Sequence, residues 1–281
     1  MTRDDGHAQA WPINPCYPAG AFRGTARYYR LYRPRYPPEV MADLCARARV
    51  TGTGRLLDLA CGTGEVALAL HRHFARVWAL DLEPEMVQAG REQARLDGIG
   101  NVSWTVGRAE QVRAPSGFFE LVTAGNAFHR LDRPLIAARA MEWLPPGRCL
   151  AVLGTSSLWT GTQDWQAVAA EVIGKWQNAG RGAAPVAAGG PPGVRDEECL
   201  RAAGFDDVTK YRFPRPYRWT LDTLIGYLRS TSVGAQLARA GTAGPCEAEL
   251  RAALRGCDPS GRYSETISFY YQLAVRPAAA A

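Results

Sequence analysis

The sequence predicts an α/β protein built on a doubly wound, mostly parallel sheet. Two observations carry that expectation. Short apolar runs alternate with amphipathic stretches from about residue 55 to 154, which is the rhythm of βαβ units. A Gly-x-Gly turn, Gly62-Thr63-Gly64, joins the first apolar run to the first amphipathic stretch. At 281 residues the chain has room for one such domain with a smaller insertion.

The elements follow in order. Residues 1–20, rich in proline, glycine and small polar residues, read as an irregular arm. Phe22–Tyr32 reads as a helix with Tyr28 and Tyr32 one turn apart on a common face. It ends at Arg33, because Pro34 disfavours helix in the residue before it. Pro38–Ala48 fits a second helix, with Val40, Met41, Leu44 and Cys45 on its apolar side. Strands are expected at Leu56–Ala60, Val77–Leu80, Val102–Val106, Phe119–Ala124 and Cys149–Gly154. Helices at Glu65–His73, Glu85–Asp97 and Leu135–Trp143 separate them, and right-handed crossovers put helices on both faces.

Beyond Gly154 the rhythm changes. Asp164–Gln177 reads as a helix with Trp165, Val168, Val172, Ile173 and Trp176 on one side. Ala179–Gly193, rich in Gly, Ala and Pro, reads as a loop. Asp196–Ala203 reads as a short helix and Val208–Phe213 as a strand, and Thr220 can cap a helix running to Ser230. A further helix fits Cys246–Leu254, Ile267–Val275 makes the last strand, and 277–281 is expected to be a disordered tail. The expected divisions are an arm (1–20), a helical lid (21–50), a ligand-binding core (51–155), a variable helical substrate-binding region with one strand (156–260) and a C-terminal strand (261–276).

Composition narrows the function. No apolar run reaches the roughly 18 residues of a membrane span, and the N-terminus has no signal-peptide core, so a cytoplasmic protein without a membrane partner is expected. The seven cysteines are scattered and form no Cys-x-x-Cys pair, so no disulfide framework or zinc site is indicated. The net charge is +6, but only Lys175 and Lys210 among 33 basic residues are lysine, and no basic run tracks a phosphate backbone. No nucleic-acid partner is expected. His71, His73 and His7 offer no metal-ligand spacing, so no metal is expected either. No heptad or interface stripe decides between monomer and homodimer.

The informative segment runs Leu56-Leu57-Asp58-Leu59-Ala60-Cys61-Gly62-Thr63-Gly64-Glu65-Val66-Ala67. Glycines there let the chain turn tightly and let a ligand approach the backbone. The same letters fit a dinucleotide fingerprint. Asp58 argues against it, because a carboxylate beside a pyrophosphate would oppose the anion a helix N-terminus attracts. S-adenosylmethionine (SAM) has no phosphate and carries ammonium and sulfonium cations, so an acid is welcome. Asp81, 19 residues after Gly62, can accept hydrogen bonds from ribose hydroxyls, or more plainly cap the helix that follows.

At this point the sequence resembles class I SAM-dependent methyltransferases. Asp58–Gly64 is similar to their first motif, Leu80–Met86 to their acidic second motif, and Gly107-Arg108-Ala109-Glu110 to the segment beside the adenine. Asn126–His129 and Leu144–Arg148 stand where the family has its fourth-strand and Leu-x-Pro-Gly-Gly segments. Tyr32–Pro37 and Tyr227–Ser230 resemble the trans-aconitate and natural-product subgroup. The resemblance implies a Rossmann-like sheet, mostly parallel with an antiparallel last strand. It implies methyl transfer from SAM to an O, N or C atom of a small molecule, in natural-product biosynthesis. A SAM-binding cyclase-like enzyme or an NAD-dependent reductase on the same scaffold is the alternative. It further implies that Asp58, Ala60, Gly62 and Gly64 line the methionine part of SAM and that Asp81 holds the ribose. Leu82, Met86, Ala109 and Glu110 would meet the adenine, and Asn126 and Phe128 would close the pocket near the sulfonium. Arg108 departs from the acid common at its position.

Sulfonium chemistry carries its own leaving group, so the protein mainly aligns the reactants and excludes water. His129, after the fourth strand, is the candidate base, since an unperturbed pKa near 6.5 suits proton removal at neutral pH; the plainer reading is a pocket wall. Tyr28 and Arg33 are expected to reach the cofactor from the lid, and His129, Tyr32, Trp159 and Tyr227 to line the acceptor site.

Overall fold

The computed structural model describes residues 19–156, 158, 161–179 and 195–278. Of the expected elements, the arm up to residue 18, most of the 179–193 loop, Trp159 and the last three residues lie outside that set.

After a turn over residues 19–24, α1 (Ala26–Tyr32) and α2 (Pro38–Arg47) precede the sheet. The alternating part runs β1 (Arg55–Leu59), α3 (Glu65–Leu70), β2 (Arg76–Asp81), α4 (Pro84–Leu96), β3 (Val102–Val106), β4 (Leu121–Gly125), α5 (Arg133–Trp143) and β5 (Cys149–Thr155). Then come α6 (Asp164–Ala179), α7 (Asp196–Ala202), β6 (Asp207–Thr220), α8 (Leu221–Arg229), α9 (Ser232–Arg239), α10 (Ala243–Cys257) and β7 (Arg262–Val275). Proline at the first helical position starts α2 and α4, where its missing N–H costs no hydrogen bond. Asp132 caps α5 by accepting from the Leu135 N–H, and Thr220 caps α8 by accepting from that of Thr223.

The seven strands lie in the order β3-β2-β1-β4-β5-β7-β6. Neighbours from β3 to β5 pair in parallel, while β7 runs antiparallel to both β5 and β6. The mostly parallel sheet with an antiparallel last strand is therefore what the chain forms. One apolar cluster holds Val40, Leu44, Val66, Leu70 and Val77 with residues of α6, α8 and β7, and the other holds Phe119, Phe128, Ile136, Trp143 and Leu200. Each face of the sheet thus carries its own layer of helices.

Two strands are longer than expected. β6 spans 14 residues rather than ending at Phe213, and β7 begins at Arg262 rather than Ile267. Pro214 and Pro216 make the sequence look broken, yet β6 is an edge strand and both prolines stay in register, opposite Ser268 and Thr266. The α9 helix was not expected from the pattern. It packs so closely on the end of α8 that a Cβ on Gly234 would lie 2.2 Å from the Leu228 carbonyl oxygen. Among the described residues no helix is long and apolar enough to cross a membrane.

Candidate active site

The strand order reverses between β1 and β4, because the chain proceeds outward from β1 to β3 and then returns to the other side of β1. Open α/β sheets form a ligand crevice at such a point, beyond the carboxyl ends of the strands. A cleft enclosing about 880 Å³, solvent at its mouth included, lies there. Its floor is Ala60 and Gly62 after β1, Asp81, Leu82 and Glu83 after β2, Gly107–Glu110 after β3, and Gly125–Ala127 after β4. Ala21, Phe22, Tyr29 and Arg33 roof it. A smaller inner cavity shares Tyr29, Arg33, Gly125 and Asn126 and adds Tyr36, Asp58, Cys61, Glu65 and Thr155.

The backbone around these cavities is unusual. Ala60 (φ +49°) and Asn126 (φ +51°) are non-glycine residues in the left-handed region, at the ends of adjacent strands. Such positions cost about 1–3 kcal/mol each and persist where the surroundings over-determine them. Gly62 and Gly64 are also left-handed (φ +56° and +87°), and a Cβ on Gly64 would come within 2.4 Å of the Trp104 ring. The loop therefore needs glycine at position 64 for packing as well as for its turn.

Three carboxylates surround that loop. Asp58 is 1% exposed, and its oxygens accept from the Thr123 hydroxyl at 2.8 Å and the Ala67 N–H at 3.1 Å. Asp81 accepts from the N–H groups of Gly62 at 2.8 Å and Glu83 at 2.9 Å, so it ties the first loop to the second. Glu65, at the start of α3, accepts from the Thr63 hydroxyl at 2.5 Å. Burial raises all three acids, because each loses water around its charged form, and it brings Asp58 to about 7. A crevice that holds acids in this state favours a cationic ligand and disfavours a pyrophosphate.

The roof is fastened to the sheet through α4. Glu83 accepts from the Gly20 N–H and Glu85 from the Gly24 N–H, while Arg30 donates to Gln93. Arg33 lies between two rings, 4.8 Å from the centroids of both Tyr29 and Tyr227, and donates to the Tyr227 hydroxyl and the Ser230 carbonyl. Its buried Nε has no hydrogen-bond partner among the described residues.

With this geometry in view, the relatives are informative. Residues 56–147 match a family described as a methyltransferase domain. A demethylmenaquinone methyltransferase of Geobacillus kaustophilus is 30% identical over 118 residues, 41% of this chain and 50% of that protein. An uncharacterized RNA methyltransferase of Halalkalibacterium halodurans is 30% identical over 91 residues, 32% of this chain and 20% of that one. The chain thus spans half or less of the length of these relatives. The structure of Haemonchus contortus phosphoethanolamine N-methyltransferase 2 in complex with S-adenosyl-L-methionine has a TM-score of 0.51 and 14% identity. It covers 90% of this chain and 56% of that one, a likeness of fold.

Residues 56–147 carry a methyltransferase domain, on the fold of the class I SAM-dependent methyltransferases. SAM is the cofactor that such a domain uses, and residues 56–147 contain all four loops that floor the cleft. Of the residues expected to meet SAM, Ala60, Gly62, Asp81, Leu82, Met86, Ala109, Glu110, Asn126 and Arg33 line the cleft together. Asp58 faces the inner cavity. Gly64 packs on Trp104, and Phe128 is 1% exposed within the core beneath the floor, so neither lines a cavity wall.

The lid helix lies in a different rotation from the one expected. Tyr28 stacks on Tyr32 and accepts from Arg229, facing α8, whereas Tyr29 roofs the cleft. Tyr29 and Arg33 are four apart and share a helical face, which Tyr28 does not share with Arg33. Tyr32 lies against Gly226, where a Cβ would come within 2.4 Å of its ring, and Tyr227 is buried beside Trp219 and holds Arg33. Neither lines the cleft or the inner cavity. Trp159 lies outside the described residues.

His129 departs from its expected chemistry. Burial, reinforced by the adjacent Arg130, lowers its pKa to about 4. Its Nε2 accepts from Arg130 Nε at 3.1 Å, so the imidazole is neutral at pH 7 and is a far weaker base than the unperturbed side chain. Among the described residues no group of three or more His, Cys, Asp or Glu is arranged to hold a metal. Of the cysteines, Cys45, Cys61, Cys149, Cys199 and Cys246 are buried free thiols and Cys257 is an exposed one.

Proposed function

We propose that this chain transfers the methyl group of SAM to a small-molecule acceptor. The observation that carries the reading is the acid-lined glycine bend: Asp58, Glu65 and Asp81 converge on Gly62–Gly64 at the switch point, and all three are raised by burial. SAM would bring an ammonium and a sulfonium to that wall. Its carboxylate would have the Arg33 guanidinium in the roof available, and its ribose the carboxylate of Asp81. The adenine would lie among Leu82, Met86, Ala109 and Glu110. SAM itself supplies the activated methyl group when bound. The chain's residues hold it, exclude water and present the acceptor in line.

His129 lines neither the cleft nor the inner cavity, and it does not enter this reading as the proton acceptor, since a side chain with a pKa of about 4 binds a proton poorly at neutral pH. An acceptor that reacts already deprotonated fits best. The modest size of the cleft and the absence of any basic run in the sequence support a small acceptor over RNA.

Calorimetry with SAM, its demethylated product and NAD tests the cofactor. Release of S-adenosylhomocysteine in the presence of acids, phenols and amines tests the transfer. Binding of NAD in preference to SAM would overturn the reading.

A further inference from the structure

The inner cavity has two unlike walls. Asp58 and Glu65 form one, after β1. Tyr36, Asn126 and Thr155 form the other, at the carboxyl ends of β4 and β5, and no role has yet been given to Tyr36. Its ring is fixed edge-on against Phe269 of β7, with centroids 6.0 Å apart. A Cβ on Gly125, at the end of β4, would lie 2.9 Å from Val66 Cγ2 and in ordinary contact, 3.6 Å, with the Tyr36 hydroxyl oxygen, so this glycine makes room for Val66 beside Tyr36.

The hydrogen bonds around Tyr36 have a fixed direction. The Thr155 N–H donates to Asn126 Oδ1 at 3.0 Å, which settles which end of the Asn126 amide is oxygen. The Asn126 amide nitrogen must then donate to the Tyr36 oxygen, at 3.1 Å. The left-handed backbone of Asn126 and its own N–H bond to the Leu153 carbonyl hold that amide in place. The Tyr36 oxygen is thus occupied as an acceptor, and no described residue accepts its proton. Burial pushes this phenol well above its ordinary 10, so it stays protonated and is a donor rather than a base.

We propose that the Tyr36 hydroxyl, oriented by Asn126 and Thr155, donates its hydrogen bond to an oxygen of the methyl acceptor, and that the acceptor class is an oxygen-bearing one: a phenolate, enolate or carboxylate. The proposal rests on the methyltransferase reading. An oxygen of this kind has lone pairs enough to accept from Tyr36 and still present electrons to the methyl carbon, or to a carbon conjugated with it. An ammonium group has none to offer, and a donor aimed at it would be repelled. The opposite wall, with its two acids, is left to the cofactor's cations.

The test uses protein saturated with S-adenosylhomocysteine, titrated with 4-nitrophenol and benzoate as oxygen probes and with benzylamine as an amine probe. Tyr36→Phe is expected to weaken the oxygen probes about tenfold, the cost of one lost hydrogen bond, and to leave benzylamine and S-adenosylhomocysteine unchanged. Asn126→Asp is expected to weaken them as well, because a carboxylate there takes the Tyr36 proton for itself. Melting temperatures report whether each variant folds, and if Tyr36→Phe does not, Asn126→Asp decides. The proposal is overturned if wild-type protein binds neither oxygen probe, or if the folded variants bind both as wild type does. It is also overturned if Tyr36→Phe loses S-adenosylhomocysteine in equal measure. Failure of the wild type to bind S-adenosylhomocysteine at all would instead remove the methyltransferase reading.

Discussion

Asp58→Asn separates the charge of the inner wall from its hydrogen bonds. The substituted amide keeps both partners: its oxygen can accept from the Ala67 N–H, and its nitrogen can donate to the Thr123 hydroxyl, which has the Leu57 carbonyl within 3.4 Å for its own proton. The fold should therefore tolerate the change. In the free protein it should even gain, because ionising a carboxyl with a pKa of about 7 in place of its ordinary 3.8 opposes folding by roughly 4 kcal/mol at most. The sign follows from linkage. A group whose pKa is raised by folding stabilises the folded protein fully below its unfolded pKa near 3.8, and that contribution is lost as pH rises through about 7. At pH 8 the ligand-free variant should thus melt several degrees above wild type, and at pH 4 the two should coincide.

Cofactor binding should respond the other way. A cation held roughly 6 Å from the carboxylate, at an effective dielectric of about 20, interacts by about 3 kcal/mol, so Asp58→Asn should weaken SAM by ten- to a hundredfold at pH 8. Below pH 7 the wild-type carboxyl must shed its proton to meet the cation, so wild-type affinity should fall as pH drops from 7 to 5.5 while the variant's stays flat. Calorimetry at pH 5.5, 7 and 8 with both proteins gives the full set of values. Equal SAM affinity of wild type and variant at pH 8 would refute the electrostatic argument.

Three further substitutions probe the same crevice. Asp81→Ala leaves the N–H groups of Gly62 and Glu83 without their acceptor, so it should lower stability by about 2–4 kcal/mol in a urea melt and abolish SAM binding at micromolar concentrations. Gly64→Ala forces a side chain into the left-handed region and against Trp104; a loss of about 2–4 kcal/mol, with quenched or shifted tryptophan fluorescence, is expected. His129→Ala should leave kcat and its pH profile between 6 and 8 unchanged, because the side chain is already neutral throughout that range; loss of an acid limb near pH 6–7 in the variant would restore it as a base.

The alternating core was readable because β1, β4 and β5 are short, largely buried runs followed by loops with their own turn residues, and parallel strands buried on both faces leave little polar noise. Site residues held on those loops could be located for the same reason: Asp81 and Glu110 end up in one cleft because strand order, fixed by βα connectivity, brings their loops together. What periodicity could not convey was rotation and tertiary environment. Tyr28 and Tyr29 are adjacent letters, and only the partner across α1 decides which one faces the cleft. The pKa of His129 depends on burial and on Arg130, neither of which a histidine's place after a strand reveals. Tyr36 was hidden because its hydrogen-bond partner lies 90 residues away, on another strand end.

The outer edge of the sheet has a bearing on assembly. Pairing with β7 runs without interruption past Pro214 and Pro216, so the ring nitrogens of both must face away from it, on the rim that a further strand would have to join. Each removes a donor from that rim, and Lys210, Arg212 and Arg218 add exposed positive charge along the same strand. Two copies brought together at β6 would meet a gap in the ladder and like charge on both sides. A homodimer of this chain should therefore form away from β6.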